Sequence, residues 1–268
     1  MDGVALITGA GKGIGRALAL RLGGKGMSVA LVARTEADVE SAAAEIRAAG
    51  GTALALVGDV ADRAFVESAV ARTVAELGPI DLLVNNAARS ASWTGEKLWE
   101  VDPDEWWSKV ETNLRGPLLF SHAVLPSMVA RGSGRIVMMN SEAGGISLPM
   151  TDGAYPVSKG GLFRLTDHLA SQLAGTGVVV LDVSPGLVKT QPDAPSSIPD
   201  SAYTPVEVVC DLIERVNAGD FDGLSGRFIH ATDDWDLVIA NTDMIVERDG
   251  RTLRMRAGFD ADPRAPKG

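Results

Sequence analysis

The sequence predicts a doubly wound α/β domain, with a mostly parallel seven-stranded sheet and helices on both faces. Three observations carry that expectation. Short apolar runs alternate with longer stretches of helical periodicity from the start of the chain to about residue 230. Several of the helical stretches close on glycine, at Gly26, Gly50, Gly78 and Gly132, the residue that helix C-termini prefer. The composition, 46% hydrophobic and 22% charged over 268 residues, fits one globular domain, 1 to 268, rather than a disordered or fibrous chain.

Taken in order, the first strand is expected over residues 4 to 8. It runs directly into Thr8-Gly9-Ala10-Gly11-Lys12-Gly13-Ile14-Gly15, followed by the apolar helical positions Ala17, Leu18, Leu20 and Leu22. Further strands are expected over 28 to 33, 53 to 57, 80 to 85, 134 to 140, 177 to 183 and 226 to 230, and helices over 36 to 49, 63 to 77 and 114 to 130. Sheets of this kind bind ligands at the carboxyl ends of their strands. Gly9, Arg34, Asp59, Asn86, Ser141 and Pro185 all emerge there.

A strand, a glycine-rich turn and a helix N-terminus make a site for a diphosphate, because glycine permits close backbone approach and the helix end offers unpaired N–H groups. The spacing is neither Gly-x-Gly-x-x-Gly nor a Walker loop, since glycine follows Lys12. Farther on, Tyr155 and Lys159 stand one helical turn apart on a shared face. A cation beside a phenol favours the phenolate, so the pair points to proton transfer. Pro156 fits only if its helix has barely begun.

The net charge of −10 argues against a nucleic-acid partner, whose phosphates need clustered Lys and Arg. No apolar stretch reaches the ~20 residues that span a bilayer, and no charged start with an apolar run precedes the first strand. The single cysteine, Cys210, cannot form an intrachain disulfide. These point to a soluble cytoplasmic protein. His122, His168 and His230 show no metal-ligand spacing, and no metal is expected.

Thr-Gly-x-x-x-Gly-Ile-Gly near the start and Tyr-x-x-x-Lys past the middle together resemble the short-chain dehydrogenase/reductase family. Other marks follow in order: Asp59-Val60, Asn85-Asn86-Ala87-Ala88, Asn113, Ser141 and Pro185-Gly186 with Thr190. The resemblance covers roughly residues 3 to 230, leaving 231 to 268 as an atypical extension. One departure is Ala88, where the family usually has glycine.

The resemblance implies a Rossmann-like fold and an NADP(H)-dependent oxidoreductase that reduces a carbonyl to a secondary alcohol or runs the reverse. Tyr155 would be the acid and base. Lys159 would lower its pKa and hold the nicotinamide ribose, Ser141 would donate to the same oxygen, and Asn113 would hold a water leading to solvent. Gly9, Gly11, Lys12, Gly13, Ile14 and Gly15 would cradle the cofactor. Asp59 and Val60 would meet the adenine, with Asn86, Ala87, Pro185, Gly186, Val188 and Thr190 completing the site. The second strand ends in Arg34 with no acid for a ribose 2′-hydroxyl, so Arg34 and Lys12 would pair with a 2′-phosphate. A dinucleotide-binding sensor or assembly partner without turnover is the alternative, and enoyl reduction a third; the intact Ser141, Tyr155, Lys159 and Asn113 argue against the former.

Trp93, Trp99, Trp106 and Trp107 are expected to cover the sheet edge rather than line a pocket. Residues 191 to 203, rich in proline, stand where the family puts its substrate lid. In the extension, Asp233-Asp234 begin a helical stretch that stops at Asp249-Gly250, before an alternating run from Arg251 to Arg256. The segment 235 to 255 is expected over the substrate mouth or on a second subunit, since the family usually forms homodimers or homotetramers.

Overall fold

In the computed structural model, which describes residues 1 to 93, 95 to 149, 151 to 189 and 199 to 254, seven strands form one sheet. They are β1 Val4–Thr8, β2 Ser28–Ala33, β3 Ala53–Val57, β4 Ile80–Asn85, β5 Gly134–Met139, β6 Val178–Ser184 and β7 Phe228–His230. Their order is β3-β2-β1-β4-β5-β6-β7, and every pairing is parallel. The strand order reverses between β1 and β4, and the crevice above that reversal is where such sheets take a ligand.

The apolar runs are continuous because helices cover both faces. All five residues of β1 and all seven of β6 are buried. On one face Ala5, Ile7, Val29 and Leu31 pack with α1 (Gly13–Gly24), α2 (Glu36–Ala48) and α7 (Val206–Ala218). On the other, Leu6, Ala30 and Val32 pack with α3 (Arg63–Leu77), α5 (Gly116–Arg131) and α6 (Ala154–Gln172). No helix among the described residues is long and apolar enough to cross a membrane.

The helix expected from residue 114 starts earlier. α4 spans Pro103–Val110, with Pro103 in its first turn and the Asp102 side chain accepting from the N–H groups of Asp104 and Glu105. A π-helical turn, Glu111–Arg115, then joins α4 to α5. Such turns widen the helix by one residue and are frequent at functional sites. Here the turn contains Asn113.

Within the single chain the described part of the extension packs beside β7 and the α7 side of the core, and a contact with a second subunit is not tested. α8 (Trp235–Ala240) begins at Asp234, whose side chain caps Leu237 N, and α9 (Thr242–Glu247) follows. Val238, Ile239 and Ile245 pack on the α1, α2 and α7 side of the core, and Trp235 Nε1 donates to the His230 carbonyl. The backbone then passes the start of β7, where Phe228 N donates to Arg251 O at 3.0 Å. Arg251 in turn donates to Phe228 O and Asp233, while Arg227 reaches Asp249 and Gly250 O. β7 is an edge strand with a free row of backbone groups, and that need draws the extension onto its own sheet. Residues 251 to 254 form no strand, and Met255 to Arg256 lie outside the described residues. Ending the chain after Thr232 is expected to remove roughly 3 kcal/mol or more of apolar burial. Thermal unfolding would register this as a clear fall in Tm.

Candidate active site

The glycine loop is built by close approach between two strand ends. A Cβ on Gly15, at the start of α1, would stand 2.3 Å from the Gly9 carbonyl and 2.5 Å from Asn86 Nδ2, so only glycine fits. Asn86 Nδ2 donates to Thr8 O at 2.9 Å and Gly9 O at 3.3 Å, while the Thr8 hydroxyl accepts from Asn86 N and Ala87 N. The Asn86 side chain thus holds the loop. Gly13 and Ile14 open α1.

The cleft beside this loop is lined by Gly9, Gly11, Lys12, Arg34, Asp59, Val60 and Ala87, all singled out from the sequence. Arg34 is exposed at the end of β2. Val60 is buried against Gly116, whereas Asp59 is exposed and accepts from Ala61 N at 2.9 Å. Asp38 also lines the cleft and holds Lys12 at 3.0 Å, a partner the sequence reading did not identify. Pro185, Gly186 and Val188 follow β6 at the same end of the sheet. Thr190, with residues 191 to 198 of the expected lid, lies outside the described residues.

Asn113 meets the cleft through Arg89, which lines it, and Ser141, Tyr155 and Lys159 gather where α6 meets the end of β5 at the same carboxyl edge of the sheet. α6 begins at Ala154, which makes Pro156 the third helical residue, where no intrahelical N–H bond is lost. Lys159 Nζ sits 5.5 Å from the Tyr155 ring centroid and donates to Met139 O at 2.6 Å. Ser141 ends the β5 connection and its Oγ accepts from Ala143 N at 3.2 Å. The turn that follows rests directly on α6. A Cβ on Gly144 would lie 2.5 Å from the Lys159 carbonyl carbon. Asn113, 1% exposed, accepts from Arg89 N at 2.8 Å and donates to Arg89 O at 3.0 Å and Ser158 Oγ at 3.1 Å. Ser158 donates to the Tyr155 carbonyl at 2.7 Å, so the π-turn and the start of α6 are one hydrogen-bonded unit.

The electrostatics correct one expectation. Burial raises the Tyr155 phenol above its ordinary value, and a hydrogen bond with Ser141, rather than the Lys159 charge, is what pulls the other way. Burial pushes Lys159 down to about 8, with the Asp182 carboxyl opposing it. Asp182 was missed in the sequence. An acid in the otherwise apolar β6 run, 1% exposed, was the available signal, because such residues are almost never buried without a partner.

Between β4 and α5, Trp93, Trp99 and Trp107 are exposed at 66%, 82% and 56%, so these three do not cover the sheet edge as expected. Only Trp106 is partly buried, donating from Nε1 to Asp152 O at 2.9 Å. A buried ion pair beneath it joins Lys109 of α4 to Asp152, whose Oδ1 accepts from Ala154 N at 3.2 Å. Asp152 therefore steadies the first turn of the helix that carries Tyr155.

A profile described as short chain dehydrogenase matches residues 3–198. A short chain dehydrogenase of Pseudocercospora fijiensis is 37% identical over 200 residues, 74% of this chain and 63% of that protein, so the chain spans less than two thirds of that relative. The short chain dehydrogenase mpl6 of Monascus purpureus is 34% identical over 261 residues, 93% of this chain and 87% of that protein. Among solved structures, a variant of actinorhodin polyketide ketoreductase with NADPH superposes with a TM-score of 0.78 at 30% identity, covering 85% of this chain and 95% of that one.

Proposed function

The chain belongs to the short-chain dehydrogenase family, and from that premise we propose that it is an NADP(H)-dependent oxidoreductase interconverting a carbonyl and a secondary alcohol. The single observation that carries this reading is the convergence of Ser141, Tyr155 and Lys159 beside a glycine-loop cleft at the carboxyl edge of the sheet. The likeness to a ketoreductase crystallised with NADPH supports the same reading.

The cleft residues suit such a cofactor: backbone close enough for a diphosphate at Gly9 to Gly15, and cationic groups at Arg34 and Lys12 for a 2′-phosphate. When bound, the nicotinamide supplies or takes the hydride. In reduction, Tyr155 delivers its proton to the carbonyl oxygen as negative charge grows there, and a high phenol pKa keeps that proton available at neutral pH. Ser141 donates to the same oxygen from a turn fixed before the reaction begins. The Lys159 ammonium provides positive charge next to the phenolate that forms. Asn113 has its side-chain amide committed to Arg89 and Ser158. Any water it relays is held by its main chain or by the remaining Oδ1 lone pair.

Two measurements test this. Loss of NADPH absorbance across cyclic, aromatic and diketone substrates and acyl thioesters should reveal turnover; none with any carbonyl, and none with alcohols and NADP in reverse, would overturn the reading. Arg34→Asp should shift the NADPH to NADH ratio of kcat/KM by about tenfold or more, since one charge-assisted bond is worth ~1.5 to 3 kcal/mol and each 1.4 kcal/mol is about tenfold. An unchanged ratio would remove Arg34 from the 2′-phosphate site.

A further inference from the structure

The helix that carries Tyr155 begins without a cap of its own. Its N-cap residue is Gly153, whose φ of 83° favours glycine, and glycine has no side chain to accept from the first N–H groups of the helix. The residue before it takes that part. Asp152 Oδ1 accepts from Ala154 N at 3.2 Å, while the Asp152 carbonyl accepts from Trp106 Nε1 at 2.9 Å. The other carboxylate oxygen, Oδ2, accepts from Lys109 Nζ, and the same ammonium donates to Ser92 Oγ at 2.7 Å. The Lys109 and Asp152 side chains are only 7% and 5% exposed, so the pair is sealed from water.

Trp106 and Lys109 stand three residues apart on one face of α4, so a single helix grips Asp152 by both its carbonyl and its carboxylate. The π-turn that follows α4 holds α6 again one turn later, where Asn113 donates to Ser158 Oγ and Ser158 to the Tyr155 carbonyl. The same elements hold the segment that leaves β4. Ser92 is tied to Lys109, and Arg89, which lines the cofactor cleft, is tied to Ser108 and Asn113.

We propose that the Lys109–Asp152 pair is a positioning device for the reaction, supplying the cap that Gly153 cannot and so fixing the Tyr155 side chain relative to the cleft. This rests on the reading of Tyr155 given above. Tyr155 is the second residue of α6, inside the turn whose N–H groups find no partner within the helix, so its direction follows from how that turn is anchored. A carboxylate suits the place, because it accepts from an N-terminal N–H and meets the positive end of the helix dipole. Buried there, it needs a fixed counter-charge, and Lys109 provides it. Stability alone is a poor account of the pair, since apolar residues of similar volume would hold the fold about as well.

Removing one partner would strand a buried charge and damage the chain for that reason alone. The test therefore changes both. Lys109→Met with Asp152→Leu fills the space with apolar groups and takes away the acceptor at Ala154 N. Lys109→Met with Asp152→Asn is equally uncharged but retains an amide oxygen for that N–H. The leucine variant should melt within a few degrees of the parent and keep its NADPH dissociation constant, read by fluorescence titration. Its kcat for carbonyl reduction should fall by about tenfold or more, since a misplacement of about 1 Å costs on the order of a hundredfold. The asparagine variant should recover most of that loss. Amide hydrogen exchange at Ala154 and Tyr155 should be faster in the leucine variant and close to the parent rate in the asparagine variant.

An unaltered kcat in the leucine variant would overturn the proposal, as would an asparagine variant no better than it. Loss of NADPH binding along with kcat would overturn it too, because the pair would then be a general support of the fold. The exchange readout stands apart from turnover. If Tyr155→Phe retains full activity while exchange at Ala154 still follows the acceptor, the proposed function fails and the cap stands; exchange indifferent to the acceptor removes the cap itself.

Discussion

Replacing Tyr155 by phenylalanine is expected to lower turnover by about two to four orders of magnitude, the usual worth of a positioned acid. Fold and cofactor binding should survive, because the substitution removes one hydroxyl and leaves the ring over Lys159 in place. The lost hydroxyl is the group whose pKa Ser141 pulls down against burial, and without it Ser141 alone would face the developing alkoxide. Single-turnover kinetics with NADPH would isolate the chemical step. Near-normal reduction by this variant would remove Tyr155 from the role proposed for it.

Gly144→Ala should be nearly as damaging to catalysis through geometry alone. The added methyl would fall 2.5 Å from the Lys159 carbonyl carbon, 2.6 Å from Gly160 N and 2.8 Å from Lys159 O, all backbone atoms with no freedom to swing aside. The Ser141 turn must lift off α6. A displacement of about 1 Å costs on the order of a hundredfold in rate, and overpacking of this kind costs about 1 to 3 kcal/mol in stability. Circular dichroism melting together with kcat would measure both. A folded Gly144→Ala variant with unaltered kcat would show that the contact between this turn and α6 is not what places Ser141.

The strands were legible because burial on both faces leaves uninterrupted apolar runs, and the glycine loop was legible because its spacing reflects a steric demand made within a few residues. Tyr155 and Lys159 could be paired from helical periodicity. What escaped the sequence depends on distant partners. Whether the phenol pKa rises or falls is decided by how deeply α6 sits against the β5 turn, and spacing along one helix carries no information on that. Asp182 acquires meaning only when β5, β6 and α6 bring Asn140, Thr166 and Lys159 to it. Asn113 was correctly singled out, yet its commitment to Arg89 follows from a π-turn that no periodicity shows. Trp93 and Trp99 were misjudged because size and apolarity predict burial, and loop residues obey that rule least, while Trp107 stays exposed on α4 next to the partly buried Trp106.

The seal that the extension places on β7 limits how copies of this chain can associate. A strand from another molecule would need the donor at Phe228, which Arg251 already occupies, and would meet the charged lattice of Arg227, Asp249, Arg251 and Asp233. Continuing the sheet from one molecule into the next through β7 is therefore blocked at its first rung, and growth toward fibrils along this margin is blocked with it. An association between copies is left with the helix surfaces and the opposite margin at β3.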